Sequence, residues 1–305
     1  MTVSTDKQKS AVDSQLWRLT IKSSESESRE ESIDLCLKEG LCATGWGNDD
    51  IPHLGTKNDY LRNASPEWEG KRGWKSSSRI MMDRMRVGDF VWMRDLSGTY
   101  YVGQITSNFF CLNKDEYNRL NLRMSRRCMW LKVGTEEKVP GAVIRSTTQP
   151  NSISKIPNKE ATIYSDFLYA KIGGKQPTLK ISSVESVFGL LSPDVLEDIV
   201  AYYLSTMGWF VIPSTCKRQT ALTEFILVNK NRDTAMVQVK SGKQKFEPPT
   251  EYPECSVFFV FEEGNDESLP TGYKRISSNT IQNLVLKECP AIPRLLQEFI
   301  KFNTT

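Results

Sequence analysis

Residues 87–106 read VGDFVWMRDLSGTYYVGQIT, and this stretch predicts a β-hairpin. Two runs rich in β-branched and aromatic residues flank DLSG at 95–98, a composition typical of a tight turn. Tyr100 and Tyr101 on the return strand face opposite sides, because side chains alternate along a strand. The hairpin therefore indicates that the first half of the chain is built around a β-sheet.

Further elements are predicted on both sides of this hairpin. Residues 16–22 (LWRLTIK) and 127–134 (RCMWLKVG) have strand composition, whereas 33–41 and 158–171 have helical patterns. The Ser/Glu run at 23–31 is typical of a loop or a helix start. Residues 1–14 are polar, and we expect them to be disordered. Since Gly, Pro, Lys and Ser concentrate at 172–184, we place a linker there and a mostly β first domain at 15–171.

The second half opens with a strong helix-start signal at 192–194 (SPD). Ser192 is the expected N-cap, Pro193 the first helical residue, and Gly208 the residue that ends the helix. Extended runs follow at 209–213, 224–229, 234–240 and 256–262, with helices near 279–288 and 293–302. This order predicts a small α/β domain at 185–305, so we expect a two-domain chain of α+β and α/β type.

The overall composition is that of a soluble globular protein. The chain has 305 residues, of which 39% are hydrophobic and 25% charged. No apolar run approaches the ~20 residues of a membrane helix, and the polar N-terminus does not look like a secretory signal. We therefore expect a cytoplasmic protein. The seven cysteines form no CxxC pair, and His53 is the only histidine, which argues against a zinc site and a catalytic triad.

Positive charge is concentrated in one region of the first domain. Residues 71–145 contain 15 Lys and Arg against 7 Asp and Glu, although the whole chain has a net charge of only +3. A localised basic surface is typical of a polyanion-binding protein, but a solvated face would have the same composition. The predicted contacts to DNA phosphates are Arg84, Arg86, Arg126 and Arg127.

Four polar residues in the second domain interrupt otherwise apolar elements. Glu197 lies within the predicted helix, Glu224 opens a strand, and Gln238 and Lys240 end the next strand. Residues two apart on a strand share a face, so Gln238 and Lys240 point the same way. A lysine in such a strand is costly unless it has an anionic partner or a chemical role.

These residues occur in segments that resemble a known family of nucleases. The segments SPDVLEDIVAYYLSTMGWFVI (192–212), TEFILV (223–228) and VQVKSGK (237–243) are similar to the Mrr branch of the PD-(D/E)xK, restriction-endonuclease-like nucleases. The resemblance implies that Glu224 is the principal metal-binding acid and that Gln238 and Lys240 are the Q-x-K pair. It also implies a metal site formed by Glu224, Gln238 and, in a supporting position, Glu197, which would hold Mg²⁺ or Mn²⁺.

One position departs from the family pattern, since most members carry Asp where this chain has Glu224. Two other interpretations of the pattern therefore stay open. The fold could be retained as a scaffold without an active metal site, or Glu224 and Lys240 could form a cross-strand ion pair without chemistry.

The first domain resembles the PUA-like superfamily, close to its EVE and YTH branches. The resembling segments are GLCATGWG (40–47), RMRVGDFVWMRDLSGTYYVGQIT (84–106) and CMWL (128–131). Such modules are small barrels that hold an extruded base in an aromatic pocket. The resemblance implies a base-binding pocket formed by Trp46, Trp92, Tyr101 and Trp130. The alternative is that these aromatic side chains fill the barrel core.

Together the two halves predict a modification-dependent DNA endonuclease, of the type IV-like restriction kind used in defence against phage. Its partner would be double-stranded DNA carrying a modified base, and a homodimer would supply one active site for each strand. Two alternatives remain: a non-catalytic binder of modified nucleic acid with an inactive nuclease fold, and a nuclease switched on by a small ligand.

Overall fold

The computed structural model describes residues 14–22, 26–179, 187–216, 223–242, 244–250, 254–265, 267–287 and 289–304. It divides into two compact units, Met1–Lys180 and Ile181–Thr305, so the division falls within the predicted linker at 172–184. Except for Ser14, the N-terminal segment predicted to be disordered lies outside the described residues.

The N-terminal unit is an α+β structure built on a seven-stranded sheet. Its strands are β1 (Leu16–Leu19), β2 (Leu41–Thr44), β3 (Phe90–Arg94), β4 (Tyr100–Ile105), β5 (Phe110–Cys111), β6 (Met124–Gly134) and β7 (Ile153–Lys155). Its helices are α1 (Ser26–Glu39), α2 (Lys57–Asn63), α3 (Arg72–Arg79), α4 (Asp115–Arg119), α5 (Gly141–Ser146) and α6 (Lys159–Ile172).

The strand order of this sheet is β2-β6-β4-β3-β1-β7, with β5 paired to β6. The hairpin predicted at 87–106 is confirmed as the antiparallel pair β3 and β4. Strand β1 lies parallel to β3, and the long β6 pairs with β4 and with β2. The hairpin therefore lies at the middle of the sheet.

A single buried carboxylate fastens β1 to the start of the hairpin. Asp89 is fully buried and accepts hydrogen bonds from the Trp17 indole nitrogen at 2.8 Å and from the backbone nitrogens of Gln15 and Arg86. Because a buried carboxylate is costly without donors, this set of bonds explains why an acid can precede the apolar strand β3.

The Ser/Glu run at 23–31 is typical of a loop or a helix start, and the structure shows a helix start at residues 26–31. Residues 26–31 are not a loop but belong to α1, which begins seven residues earlier than the predicted helix at 33–41.

Part of the predicted linker at 172–184 is anchored, since the backbone nitrogens of Thr178 and Leu179 donate to the Asp166 carboxylate at 2.6 and 2.7 Å. Leu179 is also buried, so residues 178 and 179 are packed on the N-terminal unit.

The C-terminal unit is an α/β structure with a five-stranded sheet. Its elements are α7 (Pro193–Thr206), β8 (Trp209–Val211), β9 (Phe225–Asn229), β10 (Thr234–Lys240), β11 (Val257–Glu262), β12 (Tyr273–Ile276), α8 (Ser278–Leu286) and α9 (Arg294–Thr304). This order confirms the predicted small α/β unit and adds one strand, β12, that the sequence pattern did not predict.

The sheet of this unit runs β12-β11-β10-β9-β8. Strands β8, β9 and β10 form an antiparallel meander, whereas β10, β11 and β12 are parallel. Helix α7 begins as predicted, because the Ser192 hydroxyl accepts from the backbone nitrogen of Val195 and Pro193 follows. Gly208 adopts a φ of 85° just beyond the helix, a conformation that glycine tolerates without strain.

In the described part of the chain, no helix is both long enough and apolar enough to cross a membrane.

Candidate active site and nucleic-acid interface

The first candidate site lies where β9 begins and β10 ends in the C-terminal unit. The register pairs Phe225 with Val237 across these antiparallel strands, which brings Glu224 opposite Gln238. Gln238 is buried, and its amide nitrogen donates to the Glu224 carboxylate oxygen Oε1 at 2.5 Å. Lys240 lies two residues further along β10, so it shares the face of Gln238. The structure therefore brings together three of the four predicted catalytic residues.

The electrostatics of Glu224 reflect two opposing influences. Partial burial raises the pKa of the Glu224 carboxyl, and the positive charge of Lys240 lowers it to a smaller extent. No ion pair joins the two side chains directly among the described residues, so the cross-strand ion pair is not formed as a contact. Lys240 instead acts on Glu224 through the field between them.

A second acid at the same end of the sheet was not predicted from the sequence. Glu262 ends β11 opposite Lys240 and is 3% exposed. Its carboxylate accepts from Arg275 at 2.6 Å and from the backbone nitrogen of Phe246 at 2.8 Å. Burial alone would raise the pKa of Glu262, but these donors and the Arg275 charge hold it below its usual value. The available signal was a pair of glutamates, Glu262 and Glu263, at the end of an apolar run.

Glu197, the fourth predicted residue, lies on a different element. It sits half-buried in the second turn of α7, and this helix packs against β10. Its part in metal binding stays a prediction.

The donor set can be compared with what a divalent ion requires. The described residues contain no group of three His, Cys, Asp or Glu side chains placed to hold a metal ion. Glu224 and Gln238 offer one carboxylate and one amide oxygen. Mg²⁺ is commonly held by one or two carboxylates, with water and substrate phosphate completing its octahedron. The set fits an ion that depends on its substrate for part of its coordination.

The second candidate site lies in the N-terminal unit, around Trp46. We call it the Trp46 cluster, and its members are Trp46, Tyr60, Trp68 and Trp74. The Trp46 and Trp68 rings meet edge to face at 6.1 Å, and the Trp68 and Trp74 rings lie 6.5 Å apart. Trp46 and Trp74 remain half-buried, so both retain surface that a ligand can reach.

Two hydrogen bonds fix the geometry of the Trp46 cluster. The Tyr60 hydroxyl donates to the Trp46 carbonyl at 2.6 Å and accepts from the Trp74 indole nitrogen at 2.9 Å. Trp46 has a φ of 71°, which is uncommon for a residue with a side chain and is held here by this network. Such enforced backbone conformations concentrate at functional sites.

The sequence pattern indicated Trp46 but not the other three members. They come from 57–79, a stretch of short helices without a clear hydrophobic period, so no pattern linked them to Trp46. The only available signal was the unusual density of tryptophan in 46–74.

The prediction that one pocket is formed by Trp46, Trp92, Tyr101 and Trp130 is wrong for Trp92. This residue lies on the opposite face of the sheet from Tyr101 and Trp130. Paired residues of neighbouring strands share a face, and Trp92 pairs with Val102, which pairs with Leu131. Tyr101 and Trp130 precede those partners by one residue and so face the other side of the sheet. Trp92 is fully buried, with its indole nitrogen bonded to Ser165 of α6 at 2.9 Å. It is a core residue on the α6 side.

Tyr101 and Trp130 are half-buried on the opposite face and have local partners. The Tyr101 hydroxyl donates to the Asp95 carboxylate at 3.2 Å, and the Trp130 indole nitrogen donates to the Leu41 carbonyl at 2.9 Å. Trp130 lies against Gly103, where a Cβ atom would come within 2.7 Å of its ring. No ring contact joins either residue to Trp46 within the described segments.

The four arginines predicted to contact DNA phosphates divide into three exposed residues and one buried residue. Arg84, Arg86 and Arg127 are exposed, so they are available to a polyanion. Arg126 is 3% exposed, and its guanidinium donates to the carbonyls of Met81 at 2.7 Å and Ser107 at 3.0 Å. The prediction that Arg126 contacts DNA is therefore corrected, because its hydrogen-bonding groups are directed into the unit.

Comparisons with known proteins add little to this geometry. No protein-family model matches the chain, and no curated protein matches it. Among solved structures, it is similar to the YTH domain of the Zygosaccharomyces rouxii MRB1 protein in complex with N6-methyladenosine RNA. The identity is 13% over 54% of this chain and 90% of that chain, with a TM-score of 0.27. A TM-score this low does not establish a shared fold.

Proposed function

We propose that the protein is a metal-dependent endonuclease that cuts DNA carrying a modified base. The observation that carries this proposal is the grouping of Glu224, Gln238 and Lys240 at one end of a mixed sheet. A partly buried carboxylate, an amide bonded to it and a lysine on the same face are the residue types that phosphodiester hydrolysis needs. The resemblance of 192–245 to the Q-x-K nucleases is consistent with this arrangement.

Each residue has a distinct role in the proposed reaction. Glu224 would hold the ion together with the amide oxygen of Gln238, and the Gln238 amide nitrogen would orient the Glu224 carboxylate through their hydrogen bond. A bound Mg²⁺ or Mn²⁺ would supply charge neutralisation at the phosphate and a more acidic water. Lys240 would position the attacking water or stabilise the negative charge that develops on the phosphoryl oxygens.

The N-terminal unit would select the substrate in this proposal. The Trp46 cluster presents two half-buried indole rings, and a flipped base needs such aromatic faces to replace its lost stacking. Exposed Arg84, Arg86 and Arg127 would hold the phosphate backbone, independently of sequence. Extrusion of a base costs a few kcal/mol, which only a well-fitted base recovers, so the cluster would provide the selectivity.

The direct test is a cleavage panel with matched DNA duplexes. The duplexes are unmodified, methylated, hydroxymethylated or glucosylated, and each is incubated with the full chain and either Mg²⁺ or Mn²⁺. We expect cutting of at least one modified duplex and none of the unmodified twin. Equal cutting of all duplexes would remove the reader role, and absence of cutting with either metal would remove the nuclease role.

A second candidate function is a non-catalytic binder of modified nucleic acid. The specific observation in its favour is that the described residues contain no group of three His, Cys, Asp or Glu side chains placed to hold a metal ion. Calorimetry separates the two candidates, because an endonuclease must bind Mg²⁺ or Mn²⁺ in a manner that depends on Glu224. A binder would retain selective binding of modified DNA without that metal uptake.

A further inference from the structure

A cavity in the N-terminal unit, distinct from the Trp46 cluster, has the charge of an anion-binding site. It has a volume of about 130 Å³ and lies where β1 and β3 end beside α5. Since one water needs roughly 10–15 Å³ on the same measure, the cavity can hold a polyatomic ligand. Three arginines line it, Arg18, Arg29 and Arg94, together with one acid, Asp95.

Arg18 supplies a buried positive charge that no acid among the described residues neutralises. It is 1% exposed, and its guanidinium donates to the Ser154 and Thr20 hydroxyls and to the carbonyls of Gln149 and Asn151. All four acceptors are uncharged, and no carboxylate pairs with Arg18 in the described segments. Burial lowers the pKa of Arg18, as expected for a cation without a counter-charge.

Arg29, in the first turn of α1, has an unused donor at the same cavity. Its Nε atom is buried and has no hydrogen-bond partner among the described residues. A buried donor without an acceptor is rare in native structures, and an unfilled ligand site is one physical reason for it. The Arg29 guanidinium therefore lacks a full set of acceptors, and a ligand in the cavity that this side chain lines would supply one.

The remaining polar groups favour an anion over a cation. The Asp95 carboxylate is turned toward its own hairpin, where it accepts from the Thr99 backbone nitrogen at 2.8 Å and the Ser97 hydroxyl at 2.7 Å. Arg94 is exposed and lies over the Tyr100 ring at 5.6 Å, so it can reach a ligand from the solvent side. The Thr20 hydroxyl accepts from Arg18, which leaves its hydrogen to donate.

From this arrangement we infer that the cavity lined by Arg18, Arg29 and Arg94 binds a phosphate group. The buried Arg18 contributes a fixed positive charge beside the cavity, whereas Arg29 and Arg94 contact the phosphate directly. Guanidinium groups match the geometry of phosphate oxygens and stay charged at all relevant pH values. The phosphate can belong to a free nucleotide or to the 5′ end of a nucleic-acid strand, and both sources present the same dianionic group.

The test measures binding to the full chain by calorimetry without any divalent metal. The probes are inorganic phosphate, a 5′-mononucleotide, and a short oligonucleotide with or without its 5′-phosphate. The variants are Arg29→Gln and Arg94→Gln, and the matched control is Arg72→Gln, an exposed arginine at the start of α3. Arg18 is left unchanged because its loss could unfold the unit.

We expect phosphate binding that weakens at least about tenfold in Arg29→Gln and in Arg94→Gln, the size of one lost charge-assisted hydrogen bond. Arg72→Gln should bind like wild type. Preference for the phosphorylated oligonucleotide over its twin would identify a strand end, and tighter binding of the mononucleotide would identify a free ligand. Absence of phosphate binding, or an equal loss in Arg72→Gln, would overturn the inference. Since no cutting is measured, this outcome is independent of the nuclease proposal.

Discussion

The amide nitrogen of Gln238 donates to the carboxylate oxygen Oε1 of Glu224 at 2.5 Å, across two antiparallel strands. This contact links the two sequence motifs, which are separated by 14 residues along the chain. It fixes the carboxylate against the sheet and leaves its second oxygen to other partners. The proposed chemistry depends on this one relationship, and the first two predictions address it.

Substitution of Glu224 should separate metal binding from folding. Glu224→Gln keeps an oxygen that Gln238 can donate to but removes the charge that a divalent ion requires, so we expect loss of Mg²⁺ and Mn²⁺ binding. Glu224→Asp should retain binding, because it keeps the carboxylate charge that the ion requires. Calorimetry on the three proteins measures this, and equal metal uptake in all of them would show that Glu224 is not the ligand.

The raised pKa of Glu224 predicts how stability changes with pH. Burial raises the pKa above the ordinary value of 4.5, so the folded state holds the proton more tightly than the unfolded state. The resulting stabilisation is present below pH 4.5 and is lost as the pH rises through the raised pKa. Glu224→Gln should therefore melt at or above the wild-type temperature at pH 7, and this relative gain should shrink toward pH 4.

The matched control for this titration is Glu247→Gln, which alters an exposed carboxyl of the same unit. Its melting temperature should follow wild type at both pH values. If Glu224→Gln instead melts lower at pH 7 than at pH 4, relative to wild type, then the Lys240 charge outweighs burial.

The tryptophans of the N-terminal unit should divide into a ligand-binding and a structural class. Trp46→Ala should weaken binding of modified DNA about tenfold or more, because stacking on one aromatic face contributes roughly 1–3 kcal/mol per base. Trp92→Ala should instead lower the free energy of unfolding by about 3–5 kcal/mol, as for other buried aromatic residues. Binding titrations and melting curves measure the two effects. A Trp46→Ala variant that folds and keeps the full preference would place the pocket elsewhere.

Substitution of the exposed arginines should change how DNA binding depends on salt, whereas substitution of the buried arginine should change stability. Arg84→Gln, Arg86→Gln and Arg127→Gln should each reduce the slope of log K against log salt by about 0.9 if the residue contacts a DNA phosphate. Arg126→Gln should leave that slope unchanged and reduce stability by about 2 kcal/mol or more, since it loses charged hydrogen bonds to Met81 and Ser107. An unchanged slope in all four variants would show that binding uses another surface.

Local signals in the sequence predicted the elements that depend on neighbouring residues. The turn at 95–98 predicted the β3–β4 hairpin, and the Ser192-Pro193 pair predicted the start of α7. The alternation of side chains along β10 predicted that Gln238 and Lys240 share one face. These features follow from interactions within a few residues, which a single sequence carries in full.

Contacts between distant residues could not be predicted in this way. Whether Trp92 faces α6 or the opposite side depends on which strands pair and in what register, and the sequence alone does not specify either. The burial of Arg126 depends on carbonyls 45 and 19 residues away. The Trp46 cluster joins a loop to short helices without periodicity, so only the tertiary fold brings its members together.

The most direct test of the proposed active site is single-turnover cutting of the preferred modified duplex by Lys240→Ala, with Lys230→Ala as the control. Lys230 is exposed in the turn between β9 and β10, so both variants remove one lysine from the same hairpin. We predict that Lys240→Ala loses cutting but keeps its DNA binding and melting temperature, whereas Lys230→Ala cuts at the wild-type rate. A folded Lys240→Ala protein that cuts as fast as wild type would contradict the proposed site.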